Sequence, residues 1–171
     1  MKPLRLVIQE AVTEALADIS TANGYEHDLV ATSIFRGRTK FGVDDPLPAV
    51  TMFEPPVNDD IPVTEQRGST GGTRRMTNYT LIVQGFVKDG NPHPTDPAYT
   101  LSADVVKALA KARSRKSADG RNYDPFGLGN YLREVTILPV IVRPSDDISA
   151  TAYFWMSVVF KIIEDTANPM M

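Results

Sequence analysis

The side chains able to do acid-base or metal chemistry are few: two histidines, no cysteine, and carboxylates that recur as doublets. His27 stands in Tyr25-Glu26-His27-Asp28, where a neighbouring carboxylate would make an acid-base dyad. His93 lies in Asn91-Pro92-His93-Pro94 and reads as an exposed loop side chain. Neither has the HxH or HExxH spacing that brings two imidazoles onto one metal. The doublets Asp44-Asp45, Asp59-Asp60 and Asp146-Asp147 fall beside prolines in predicted turns, where an aspartate oxygen accepts from its own backbone. With no cysteine, thiol nucleophiles, thiolate zinc sites and iron-sulfur clusters are excluded, and the composition suits a reducing compartment.

Two basic stretches offer a different chemistry. Residues 67–75 read Arg-Gly-Ser-Thr-Gly-Gly-Thr-Arg-Arg, with the glycine density of a phosphate cradle but without the GxxxxGK[ST] order or a preceding strand to aim amides at a phosphate. Flexible and basic, it reads as a solvated loop that orders only against a neighbour, nucleic acid or an acidic protein surface, and on an acidic partner Arg67, Arg74 and Arg75 supply charge-assisted hydrogen bonds while Gly68, Gly71 and Gly72 supply freedom. Glu54, Asp59, Asp60 and Glu65 of an adjacent copy are candidate acids for that contact. From Lys107 to Arg121, six basic residues face one acid, Asp119, and no aromatic interleaves before Tyr123. That pattern suits a solvated helix face with cations toward its C-terminus rather than a stacking surface for single strands. A formal charge of −3 and a pI near 5.4 argue against a dedicated duplex binder.

The elements that must position these residues follow from periodicity. Leu4, Ile8, Ala11, Val12, Ala15 and Ile19 form one apolar stripe, predicting an amphipathic helix stopped at Asn23-Gly24. Strands are predicted at Leu29 to Phe35, at Ala49 to Glu54 ahead of Pro55-Pro56, and at Tyr79 to Val87. Asp96 reads as the flanking cap and Pro97 as the first residue of a second helix with the stripe Leu101, Val105, Ala108, Leu109 and Ala112, leaving Lys107 and Lys111 on the solvated side. Arg133 to Val142 and Ala150 to Ile163 close the chain as strands. In the last, Phe154 and Phe160 alternate with Trp155 on opposite faces, and Trp155 is expected to help anchor a core covered on both sides.

These elements predict one α+β domain over residues 1–171, a mixed sheet of about five strands with two helices, in the order helix, three strands, helix, two strands. Two helices cover one sheet face, so the other needs a partner. Residues 55–75 hold almost no large apolar side chain and are predicted to be a long mobile loop used in assembly. No apolar run approaches the ~20 residues of a membrane helix, and charges interrupt the N-terminus too early for a signal sequence, predicting a soluble, unprocessed chain.

The sequence resembles the tail terminator proteins of long-tailed bacteriophages. The likeness runs through a helix ending in Asn23-Gly24-Tyr25, a strand ending Ile34-Phe35-Arg36-Gly37-Arg38, and Phe41 with Asp44-Asp45-Pro46-Leu47-Pro48 leading into the strand at Ala49. It continues in the strand at Tyr79 to Val87, the Asp96-Pro97 helix start and the two closing strands, and leaves 55–75 and 114–129 unmatched. The resemblance implies a virion protein, assembled in the host cytoplasm, that forms a six-fold ring on the head-proximal end of the tail tube. Such a ring halts tube polymerisation, docks the head-completion or neck protein, and lets phage DNA pass its lumen without sequence-specific binding. It implies no catalysed reaction, no cofactor, no metal and no membrane. Another head-tail joining or neck protein is the nearest alternative, and a small nucleic-acid-binding module or enzyme the alternative from another class.

Overall fold

The computed structural model describes residues 1–41, 44–56, 73–147 and 149–170. Helix α1 runs Leu4–Ala17, and strands β1, Ile34–Arg36, and β2, Ala49–Phe53, follow. Strand β3 is Arg74–Val87, helix α2 Asp96–Arg113, β4 Leu132–Ile137, β5 Ile141–Arg143 and β6 Ala152–Asp165. The chain is an α+β domain, and its described residues hold two helices and a six-stranded mixed sheet in the order β1-β2-β3-β6-β4, β5 also pairing with β6. Only β1 and β2 are parallel; the other pairs are antiparallel.

The spine is β3 against β6, in unbroken register from Arg74 opposite Asp165 to Val87 opposite Ala152. At ~3.3 Å per residue these 14-residue strands make a ladder on the order of 45 Å long. Alternation sends Tyr79, Leu81 and Val83 of β3 and Phe154, Met156, Val158, Phe160 and Ile162 of β6 to one face. Leu4, Ile8, Val12 and Leu16 of α1 and Leu101, Val105, Ala108 and Leu109 of α2 close over that face in a single core. Gly85 is placed there by close approach. A Cβ on it would stand 2.2 Å from Phe154 Cε1, so the Phe154 ring lies where any larger residue would put its side chain.

Five local expectations are corrected. The helix stripe to Ile19 is interrupted at Ala17; Ile19 is fully buried, but Gly24, at φ 79°, caps a short 3-10 turn over Thr21–Asn23 instead of the helix. The first strand shrinks to Ile34–Arg36 because Ala31–Ser33 is a second 3-10 turn, closed by the Ser33 hydroxyl donating to the Val30 carbonyl. In α2, Thr95 rather than Asp96 is the flanking residue, and Pro97 still falls in the first turn, where no hydrogen bond is lost. The third strand starts at Arg74, not Tyr79, because β6 extends far enough to pair with five further residues, four of them polar. Arg133 to Val142 is two strands, giving six in place of five. Ile137 faces Val158 and Ile141 faces Trp155, so four steps of this edge run beside three of β6. Pro139, with no amide hydrogen, sits in that break, and a second register shift lies between Leu132 and Glu134.

Candidate assembly surface

The face of the sheet turned away from both helices is covered only in part. Phe35 and Thr51 lie on it through the β1–β2 pairing, and Ile82, Gln84, Phe86, Tyr153, Trp155 and Val159 through the ladder. Over one end folds the connection from β1 to β2. Gly37, at φ 74°, turns the chain and its amide donates to the Met52 carbonyl. Arg38 then lies over the rings of Phe35 and Phe41, 4.7 and 4.8 Å from their centroids, and donates to both Asp45 carboxylate oxygens at 2.6 and 2.7 Å. The buried Thr51 hydroxyl donates to the Arg38 carbonyl at 2.6 Å. Phe41 meets Phe86 at 4.5 Å between centroids, and the aromatic series continues through Tyr153 to Trp155. Phe35, Arg38, Phe41 and Asp45 are therefore one packed unit, an arginine held between two rings and a carboxylate.

Beyond that cover the face is open. Phe53, Ile82, Trp155, Val159 and Ile163 are partly exposed, and Ile141 and Met76 are about half exposed, at 46% and 51%. Trp155 is not a core anchor, as its alternation with Phe154 and Phe160 had suggested. The helices close over the face of Phe154 and Phe160, which are fully buried, and the β1–β2 connection covers Phe86 and Tyr153 at one end of the other face, while Trp155 beyond it stacks on Tyr153 at 5.9 Å, with the Arg143 guanidinium 6.0 Å from its ring.

Of the candidate residues, Asp59, Asp60, Glu65, Arg67, Gly68, Gly71 and Gly72 lie outside the described residues. Arg74 and Arg75 are the first residues of β3 rather than loop, which corrects the 55–75 boundary. Both already have partners within the chain: Arg74 stands 3.6 Å from Asp165 and Arg75 3.5 Å from Glu164. Arg5 of α1 joins them, donating to Glu164 at 2.9 Å, standing 3.8 Å from Glu54 and lying over the Tyr79 ring. The Tyr79 hydroxyl accepts from Gln9 at 2.8 Å and donates to Glu54 at 3.3 Å. Burial pushes the Tyr79 phenol up to about 12 against the opposing Gln9 hydrogen bond, so it stays neutral. Burial also pushes the Glu164 carboxyl up, but the Arg5 hydrogen bond and the charges of Arg5 and Arg75 outweigh it and hold Glu164 below the ordinary carboxylate range.

The sequence singled out His27, and the structure does give it a carboxylate, though neither Glu26 nor Asp28. Asp104 of α2, 5% exposed, accepts from the Glu26 and His27 amides at 3.0 Å each, and its Oδ2 lies 2.9 Å from His27 Nδ1. This pair pins the segment after α1 to α2. Asp104 follows Leu101 by three and precedes Ala108 by four, so the apolar stripe itself marked it as an inward-facing acid. Lys107 and Lys111 are exposed, as expected, yet both tie α2 to the rest of the chain: Lys107 donates to the Gly24 carbonyl at 2.6 Å and lies over Tyr25, and Lys111 pairs with Asp18 at 2.7 Å. Asp146 accepts from the Ser149 amide, as turn chemistry predicts, and also from the Tyr153 hydroxyl. His93 is exposed, and among the described residues no group of three His, Cys, Asp or Glu is placed to hold a metal ion.

The chain matches no protein-family model and no curated protein sequence. Among the described residues no helix is long and apolar enough to cross a membrane.

Proposed function

We propose that this chain is the structural subunit of a closed ring, six-fold as its resemblance to tail terminators implies, that seats on the head-proximal end of a phage tail tube. There it stops tube growth and offers its other surface to the neck of the capsid; its work is in binding, not in a catalysed reaction. The observation that carries this reading is the one-sided sheet. Both helices are spent on one face, and the other presents Trp155, Ile82, Val159, Ile163 and Ile141 along the ladder, an apolar surface of the kind that a protein neighbour covers. Native mass spectrometry and negative-stain imaging of the protein mixed with purified tail tubes test it. Six copies in a ring on one tube end, with overlong tails when the gene is disrupted, are the expected results. Tails of normal length that fail to join heads identify a neck protein instead, and a monomer with no ring on any tube end overturns the proposal.

A further inference from the structure

A cleft of about 650 Å³ opens at the end of the ladder where Arg74 pairs with Asp165, bordered by the first turn of α1. Four arginines line it, Arg5, Arg74, Arg75 and Arg133, against the two carboxylates Glu164 and Asp165. Arg5 and Arg75 share Glu164, and Arg74, with its side chain 82% exposed, reaches Asp165 only at 3.6 Å. Arg133 is exposed and has no ion-pair partner among the described residues. The Arg75 Nε is buried with no acceptor among the described residues. The first turn of α1 carries no acid and no side-chain cap, and although the Leu4 amide donates to the Pro169 carbonyl, the helix end adds positive potential. Tyr131 and Ile163 give the cleft an apolar wall, which suits a peptide segment bearing carboxylates.

The opposite end of the ladder carries such a segment. Between Arg143, which pairs with Tyr153, and the start of β6, the chain turns through Asp146-Asp147. Asp146 is held by the Tyr153 hydroxyl at 2.8 Å and by the Ser149 amide, and Asp147 is exposed beside it. We propose that the arginine cleft of one copy receives the Asp146-Asp147 turn of the next. A contact between the two different ends of one ladder is heterologous, the kind that closes into a ring when each junction turns by a constant angle. Arg133 and Arg74 supply charge-assisted hydrogen bonds to the incoming carboxylates and set the register of the neighbours. The inference rests on the ring reading and assigns it a junction.

Because the chain has no cysteine, a pair introduced at Asn130, in the cleft wall, and Ser145, beside the turn, reports the contact without removing a charge. On oxidation of the concentrated full chain, Asn130→Cys with Ser145→Cys gives a ladder of covalent multimers, while either single variant stays uncrosslinked. Adding Arg133→Glu lowers the multimer yield at least ten-fold, and adding Asp147→Arg to that restores it; circular dichroism verifies that each variant is folded. Absence of a ladder, a ladder indifferent to Arg133→Glu, or disulfide dimers of a single variant, which would mean a two-fold contact, overturns the junction. Rings of the wild-type chain without a ladder leave the ring reading standing and remove only this contact.

Discussion

Phe154 and Trp155 are adjacent on β6 and point to opposite faces, so truncating each in turn measures how one-sided the core is. Phe154 is fully buried, and its ring fills the space over Gly85, which has no side chain to fall into a cavity there. Phe154→Ala should therefore cost about 4 kcal/mol, within the range for a buried phenylalanine whose surroundings relax little. Trp155 keeps a partly exposed ring, with a stack on Tyr153 and the Arg143 guanidinium on its other contact. An aromatic stack contributes roughly 0.5–1.5 kcal/mol and an exposed cation-π contact ~0.5–1. With some area burial added, Trp155→Ala should cost about 2 kcal/mol in the isolated chain. At ~2–4 °C per kcal/mol for a chain of this size, melting temperatures should fall by roughly 8–16 °C for Phe154→Ala and 4–8 °C for Trp155→Ala. Thermal melts followed by far-ultraviolet circular dichroism measure both, since the only tryptophan is lost in one variant. Urea titration should give the same order. A Trp155→Ala loss equal to or larger than that of Phe154→Ala would refute a main core on the helix side of the sheet. The reverse ranking is expected for assembly, because only Trp155 lies on the open face.

Three further perturbations probe the same architecture. Gly85→Ala should destabilise by about 1–3 kcal/mol, since the new methyl group overlaps the Phe154 ring; an unchanged urea midpoint would contradict the close approach. Asp104→Ala should cost about 3 kcal/mol by leaving the Glu26 and His27 amides without their acceptor, and hydrogen exchange at those two amides should accelerate selectively. Glu164 binds its proton less tightly folded than unfolded, so its contribution to stability is full above pH 4.5 and is lost as pH falls through its lower folded value; Glu164→Gln should flatten the acid limb of a stability-against-pH curve, and an unchanged limb would remove the Arg5–Glu164–Arg75 cluster from the account.

The α+β class, the two helices and their inward stripes were legible in the sequence because periodicity is local: Leu4, Ile8 and Val12, or Leu101, Val105 and Leu109, share a face whatever surrounds them. Alternation along 152–163 likewise assigned Phe154 and Trp155 to opposite faces before any packing was known. Which face became the core was decided by tertiary structure, since both helices settled on one side, and a strand's own pattern does not say where a helix will lie. The start of β3 at Arg74 was hidden for the same reason. Arg74 to Asn78 carry little apolar signal, and they are strand because β6 reaches far enough to satisfy their backbone groups. The candidate site divides along that line. Arg74 and Arg75 were visible as cations, whereas their meeting with Arg5, Arg133, Glu164 and Asp165 brings together both ends of the chain, β3 and β4. Charge is a property of a residue, but a cleft exists only where distant segments of the backbone come together, and no local pattern encodes that distance.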